Sequence, residues 1–187
     1  MPKYVAFLRA INVGGHIVKM DTLKALFEGL GYADVATYIA SGNVLFETRS
    51  KNTRAIEAAI EATLEKALGY EVTTFVRTRA EVAAIAAHEA FPRAAIESAA
   101  AFNVAMLKQP LDAAEVAAVA KLRSDIDDFH LNGSELYWLC ARRQMESKFS
   151  NAVFERAVKA RATFRGLRTV AALALKYPAE PTRHAIR

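Results

Sequence analysis

Cysteine is almost absent from this sequence, which has only Cys140 among its 187 residues. A single cysteine excludes an internal disulfide, so nothing in the composition calls for an oxidising compartment. Long hydrophobic runs are absent as well. The apolar run from Tyr4 to Leu8 is far too short for the hydrophobic region of a secretion signal or for a membrane span. We therefore predict a cytoplasmic protein with no membrane partner.

Sequence motifs for bound cofactors are also missing. The chain contains neither the Gly-Lys-Ser/Thr of a Walker loop nor the Gly-x-Gly-x-x-Gly of a dinucleotide-binding turn. The aromatic signature of RNA-binding β-α-β-β-α-β domains is missing from the segment around Phe46. The four histidines lie far apart and lack the spacing of metal ligands: His16, His88, His130 and His184. We predict no cofactor and no metal site.

Hydrophobic periodicity predicts the same order of strands and helices twice. In the first half, β-prone runs at 4–9, 35–40, 44–48 and 71–76 predict strands, and residues 21–30 and 52–68 have helical spacing. In the second half, strands are predicted at 102–107, 127–131, 135–140 and 162–165, with helices starting at Asp112 and near Ser150. The turns Ser41-Gly42-Asn43 and Asn132-Gly133 predict a hairpin in each half.

This order predicts an α+β fold made of two ferredoxin-like β-α-β-β-α-β halves packed into one compact protein, with an extra C-terminal helix. We place the first half at residues 1–78, a connecting helix and loop at 79–98, the second half with the C-terminal helix at 99–177, and a flexible tail at 178–187. The predicted helix N-caps are Asp21, Asn52, Thr78 with Glu81, Asp112 with Glu115, Ser150 or Ser147, and Thr169.

Positive charge is concentrated in the second half. Residues 1–90 hold ten basic and ten acidic side chains, whereas residues 91–187 hold fifteen and ten. The basic stretch, residues 142–168, contains eight basic side chains and only two acidic ones. Such a stretch attracts an anionic partner or forms a solvated helix face, and both interpretations stay open.

Two motif stretches resemble a known family. The first motif stretch runs through Arg9-Ala10-Ile11-Asn12-Val13-Gly14-Gly15, Lys19-Met20, Gly31-Tyr32, Thr37-Tyr38 and Ser41-Gly42-Asn43-Val44. The second contains Ser147-Lys148-Phe149-Ser150-Asn151, Phe154-Glu155, Ala162-Thr163, Arg165 and Thr169-Val170. Together they resemble the bacterial proteins of the Domain of Unknown Function 1697 family across residues 4–175. The resemblance implies no catalytic residue. The family's Arg-Asn-Trp-Asn-Thr-Val is Arg165-Gly166-Leu167-Arg168-Thr169-Val170 here, which weakens a ligand role for Gly166 and Leu167.

Each motif stretch contains a loop-to-helix transition suited to an anion. Gly14 and Gly15 allow close approach of the backbone, Lys19 precedes a helix, and Lys148 lies near the start of another helix. We predict a ligand site between the two halves, formed by Arg9, Asn12, Gly14, Gly15, Lys19, Ser41, Asn43, Lys148, Asn151 and Arg165. The simpler interpretation is that these residues form a connecting loop, a hairpin turn and a helix cap.

The leading functional hypothesis is a binding protein for an anionic, phosphorylated small molecule. An enzyme acting on such a molecule stays open, with Lys or Arg as electrostatic stabiliser, although no base or nucleophile stands out. A module that pairs through sheet edges, and a non-specific nucleic-acid binder acting through the basic stretch, also stay open. The oligomeric state is not predicted.

Two further features of the sequence are given structural interpretations. We interpret Asp125, Asp127 and Asp128 as a solvated turn, and Cys140 as a buried packing residue.

Overall fold

A computed structural model describes residues 1–39 and 42–178 of the chain. The first half consists of β1 (Lys3–Leu8), α1 (Met20–Gly29), β2 (Ala33–Tyr38), β3 (Asn43–Glu47), α2 (Thr53–Leu68) and β4 (Thr74–Thr78). After it come α3 (Arg79–Ala87) and α4 (Arg93–Ser98). The second half consists of β5 (Ala101–Leu107), α5 (Ala113–Ala120), β6 (Asp127–Asn132), β7 (Glu135–Cys140), α6 (Asn151–Val158) and β8 (Ala162–Gly166), and α7 (Leu167–Lys176) follows. The predicted β-α-β-β-α-β order and the additional C-terminal helix are confirmed.

The two halves have the same sheet topology. The strand order is β2-β3-β1-β4 in the first sheet and β6-β7-β5-β8 in the second, and every pairing is antiparallel. The interior strands are therefore β3 and β1 in the first sheet and β7 and β5 in the second. Both β1 and β5 are followed by the loop that leads to the first helix of their half. None of the helices within the described residues combines the length and the apolar character needed to cross a membrane.

Both faces of each sheet are buried. On one face of β1, Tyr4, Ala6 and Leu8 pack in a cluster with residues of α1 and α2. On the other face, Val5 and Phe7 belong to a central cluster that also contains buried side chains of the second sheet, of α3 and of α7: Val104, Met106, Tyr137, Val82, Ile85, Val170 and Leu173. A third cluster covers the far face of the second sheet with α5 and α6. The two halves thus share a core, and the domain boundaries given above stay a prediction.

Local capping signals explain where most helices begin and end. Asn52 accepts a hydrogen bond from the backbone N–H of Ala55, and Ser150 accepts one from that of Val153. Both predicted capping boxes are formed, by Thr78 with Glu81 and by Asp112 with Glu115. These predictions were right because a cap depends only on residues three positions apart.

Three local predictions were wrong. Asp21 and Thr169 lie inside the first turns of α1 and α7, whose preceding residues make no side-chain cap. The loop predicted after the connecting helix contains a second helix, α4, with Pro92 as its N-cap, because the fixed φ of proline suits the start of a helix. Ser41 and the tail from residue 179 onward lie outside the described residues.

Replacing Gly42 by alanine is expected to destabilise the protein by about 3 kcal/mol. Gly42 has a φ of +77°, and an added Cβ would lie 2.6 Å from Cγ2 of Ile11 and 3.1 Å from Cβ of Leu8. Ile11 and Leu8 are both fully buried, so neither can move aside cheaply. Urea denaturation measures the loss.

Gly14→Ala is the matched control for this substitution. Gly14 also has a positive φ, +69°, but nothing lies within 4 Å of an added Cβ. The control therefore carries only the cost of left-handed backbone, about 1–2 kcal/mol. Equal losses in the two variants would show that the contact with Ile11 is relieved without cost.

Candidate functional site

Arg9 and Glu155 form a bidentate ion pair between the two halves. Arg9 follows the last residue of β1, and its Nε and Nη2 each donate to a different carboxylate oxygen of Glu155, in α6, at 2.7 Å. The backbone N–H of Ala162 donates to the same carboxylate at 2.9 Å. Burial acts to raise the pKa of Glu155, but the hydrogen bonds from Arg9 and Ala162 outweigh it and hold the pKa below its ordinary value.

Arg165 crosses the same junction in the opposite direction. It extends from β8 into the first half, where its Nε donates to Oδ1 of Asn43 at 2.7 Å and its Nη2 donates to the carbonyl oxygen of Leu8 at 2.8 Å. Its Nη1 donates to Thr163 and to the carbonyl oxygen of Phe164. The side chain is almost completely buried, and this desolvation lowers its pKa to about 10. Arg165 therefore fixes the position of one half on the other.

The two motif stretches meet through these contacts. Arg9 and Asn43 belong to the first stretch, and Glu155 and Arg165 belong to the second. Arg161 lies beside them, with Nη1 3.5 Å from Oε2 of Glu155. We call Arg9, Asn43, Glu155, Arg161 and Arg165 the junction cluster. It contains three guanidinium groups and one carboxylate, and the side chains of Arg9 and Arg161 are 26% and 56% exposed.

The loop between β1 and α1, residues 10–19, starts next to this cluster, and we call it the glycine-containing loop. Oδ1 of Asn12 accepts a hydrogen bond from the backbone N–H of Val18, which closes the loop on itself. The hydroxyl of Tyr70 donates to the carbonyl oxygen of Ile11 and fixes the start of the loop. Gly14 and Gly15 both have positive φ and are exposed. Lys19 ends the loop as the N-cap residue of α1, with an exposed side chain.

The other two predicted residues of the second half lie apart from one another. Asn151 is at the start of α6, and its Nδ2 donates to the carbonyl oxygen of Ala162, next to the junction cluster. Lys148 instead lines a cleft of about 470 Å³ together with Asp125 and Phe149. Arg9, Asn43, Asn151 and Arg165 are thus brought together, whereas Lys148 faces a cleft whose lining includes none of them. Ser41 lies outside the described residues.

Glu155 and Arg161 were missing from the predicted site. Glu155 occurs in the second motif stretch, and its position there was the available signal. Nothing in the sequence shows that Arg161 shares Glu155 with Arg9, because Arg9 and Glu155 are 146 residues apart and meet only in the folded chain.

A buried carboxylate organises the cleft that contains Lys148. Oδ1 of Asp127 accepts from Nε1 of Trp138, and Oδ2 accepts from the hydroxyls of Ser124 and Ser147, each at 2.8 Å. Burial acts to raise the pKa of Asp127, but these hydrogen bonds outweigh it and lower the pKa. The interpretation of Asp127 as part of a solvated turn is wrong, since only 4% of the residue is exposed.

A separate cleft of about 370 Å³ is lined by residues of both halves, and its charges are balanced. Arg77 donates to Glu135 at 2.9 Å, and Lys108 lies 2.6 Å from Glu61 and 3.4 Å from Glu57. Because these basic side chains already face carboxylates, the cleft attracts an anion less than the junction cluster does.

The basic stretch carries less surface charge than its sequence indicates. Arg165 is buried, Arg143 pairs with Glu146, and Arg161 pairs with Glu155. Five of its basic side chains are exposed and have no ion pair within the described residues: Arg142, Lys148, Arg156, Lys159 and Arg168.

Comparisons with known proteins concern the family and the fold. A family model described as "Protein of unknown function (DUF1697)" matches residues 1–137, which contain the whole first motif stretch. The structure of conserved bacterial protein SP0830 from Streptococcus pneumoniae is similar, with a TM-score of 0.74 and 20% sequence identity. That similarity covers 94% of this chain and 98% of the other. A search of curated proteins found no match.

Proposed function

The chain belongs to the DUF1697 family of proteins of unknown function, and we propose from its own geometry that it binds a small anionic ligand at the junction cluster. The observation that carries the proposal is the charge of the cluster, which contains three guanidinium groups and a single carboxylate; Arg9 and Arg161 contact Glu155, and Arg165 contacts Asn43. Arg9 and Arg161 keep part of their surface in solvent and have donors to offer. A phosphate or carboxylate would accept hydrogen bonds from both.

The glycine-containing loop supports the same location. It begins immediately after Arg9, and its exposed residues Gly14 and Gly15 have no Cβ to keep a ligand from the backbone. Lys19 adds an exposed ammonium group at the end of the loop. In this proposal Asn12 holds the loop closed, and the contact of Arg165 with Asn43 keeps the two halves in register beneath the ligand. Asn151 joins α6 to β8 within the second half. Lys148 lines the separate cleft beside Asp127 and takes no part in this site.

We further propose that the protein acts in the cytoplasm, because its lone cysteine is buried and contributes to packing. Burial raises the pKa of the Cys140 thiol, which makes it a poor nucleophile.

Inorganic phosphate is expected to stabilise the wild-type protein against heat, and Arg161→Gln is expected to remove that effect. At a phosphate concentration ten times the dissociation constant, mass action adds about 1.4 kcal/mol, or about 3–5 °C in melting temperature. Arg161 is half-exposed and makes only a long contact with Glu155, so the substitution leaves the fold intact. The measurement is a thermal-shift titration with phosphate against chloride at matched ionic strength.

Arg93→Gln is the matched control, because Arg93 is an exposed arginine paired with Glu97 on the surface of α4. It is expected to keep the phosphate response. A response that persists in Arg161→Gln would overturn the location at the junction cluster. Stabilisation by a short RNA that weakens steeply with salt and is unaffected by Arg161→Gln would instead support nucleic-acid binding through the basic stretch.

A further inference from the structure

His88 and His130 point their Nε2 atoms at each other from two different elements. The two nitrogens are 3.0 Å apart. His88 is the residue that ends α3, in the segment connecting the halves, and His130 lies in β6, an edge strand of the second sheet. Both side chains are half-buried. The pair therefore joins the connecting segment to the second half, and solvent can still reach it.

Aromatic side chains lie around the pair. The rings of Tyr137 and Phe91 lie 5.0 Å from His88 and 6.2 Å from His130, respectively. The Tyr137 hydroxyl is engaged, since it donates to the carbonyl oxygen of Ile85. A neutral imidazole is the form that binds a metal ion.

The separation of the nitrogens fits one kind of coordination. An ion placed about 2.0–2.1 Å from both nitrogens would lie beside the line that joins them and see them at an angle of about 95°, given their 3.0 Å separation. It would replace the hydrogen bond between the two rings, and each ring would turn until its Nε2 lone pair faces the ion. That is the angle between neighbouring ligands in square-planar and octahedral complexes, which copper(II) and nickel(II) form with nitrogen ligands. A tetrahedral ion such as zinc would need the nitrogens to move slightly apart.

We propose that His88 and His130 form a two-imidazole binding site for a divalent late transition-metal ion, copper(II) or nickel(II), with water in the remaining coordination positions. Within residues 1–39 and 42–178, no cluster of three or more His, Cys, Asp or Glu side chains is placed to hold a metal. The site is thus built from two protein ligands, and its affinity is moderate. Because the ligands belong to separate elements, a bound ion would fasten the connecting segment to β6.

Isothermal titration of the untagged full-length protein with nickel(II) tests the proposal. All variants carry His184→Gln, so that His16 is the only other histidine. One ion per chain is expected to bind. His88→Gln and His130→Gln should each weaken binding by about tenfold or more, because a single remaining imidazole has no chelate partner. His16→Gln, the control, should leave binding unchanged, and magnesium should not compete because it prefers oxygen ligands.

Copper(II) provides a second readout, which reports the nitrogen ligands of the wild-type chain directly. The electron paramagnetic resonance spectrum of the copper-loaded chain should show coupling to two nitrogens, reduced to one in His88→Gln. Circular dichroism without metal shows whether each variant is folded. Absence of nickel binding, binding equal in all variants, or copper without coupling to two nitrogens would overturn the site and leave the pair as a proton-sharing hydrogen bond only.

Discussion

Arg165→Ala is expected to lower the free energy of unfolding by about 3–5 kcal/mol, because several hydrogen bonds from a charged group and a large buried side-chain volume are lost together. The substitution removes the donors that satisfy Oδ1 of Asn43 and the carbonyl oxygen of Leu8, both inside the junction. Leu8 is fully buried, and so is Asn43. Each lost hydrogen bond to a buried acceptor adds a desolvation cost, and the cavity left by the side chain adds to it.

Arg165→Lys separates the shape of the guanidinium from its charge. Lysine keeps the charge but lacks the planar arrangement of donors that reaches Asn43 on one side and Leu8 on the other. We therefore expect Arg165→Lys to lose at least half as much stability as the alanine variant, measured by urea denaturation of both. Arg161→Gln is the control, an arginine four residues away whose single long contact is worth less than about 1 kcal/mol. A loss below 1 kcal/mol in Arg165→Ala would show that Arg165 does not hold the halves together.

Local interactions explain why so much of the fold was visible in the sequence. The run Tyr4–Leu8 is compact and β-prone, which predicts a strand, and Asn52 and Gly69 mark the two ends of α2 by their own backbone preferences. Such signals depend on residues within one or two turns. The run at Tyr4–Leu8 could not show which side chains face the second half, because both faces of β1 are buried and the run is apolar throughout.

The junction cluster depends on pairs that are distant in sequence. Arg9 and Glu155 are 146 residues apart, and Arg165 and Asn43 are 122 apart. A charge count treats Arg165 like the exposed Arg168, since burial is a property of packing and not of the residue type. The histidine pair was missed for the same reason, because its members are 42 residues apart. Lys148 was grouped with Arg9 on its helix-start position alone, yet its segment runs beside Asp127 instead.

Asp127→Ala is expected to destabilise the protein by about 3 kcal/mol, since hydrogen bonds to a charged acceptor contribute about 1.5–3 kcal/mol and the Trp138 N–H would lose its partner. Asp127 joins three parts of the second half: Ser124 before β6, Trp138 in β7, and Ser147 before α6. The hydroxyl of Ser147 also accepts a hydrogen bond from the backbone N–H of Phe149, so the segment leading into α6 depends on the same carboxylate. The measurement is urea denaturation followed by the change in fluorescence of Trp138, the single tryptophan of the chain.

Asp127→Asn tests the negative charge at nearly constant shape, and its effect should depend on pH. The hydrogen bonds hold the pKa of Asp127 below its ordinary value in the folded protein, whereas in the unfolded chain it returns to about 3.9. The charge therefore stabilises the fold above about pH 4, and this contribution is lost as the pH falls through the folded pKa. The difference in unfolding free energy between wild type and Asp127→Asn should be largest at neutral pH and shrink towards pH 2. Asp128→Asn, at an exposed neighbour paired with Arg123, should cost less than about 1 kcal/mol. If the difference in unfolding free energy between wild type and Asp127→Asn stays constant from pH 7 to pH 2, Asp127 stabilises this region by its shape and not by its charge.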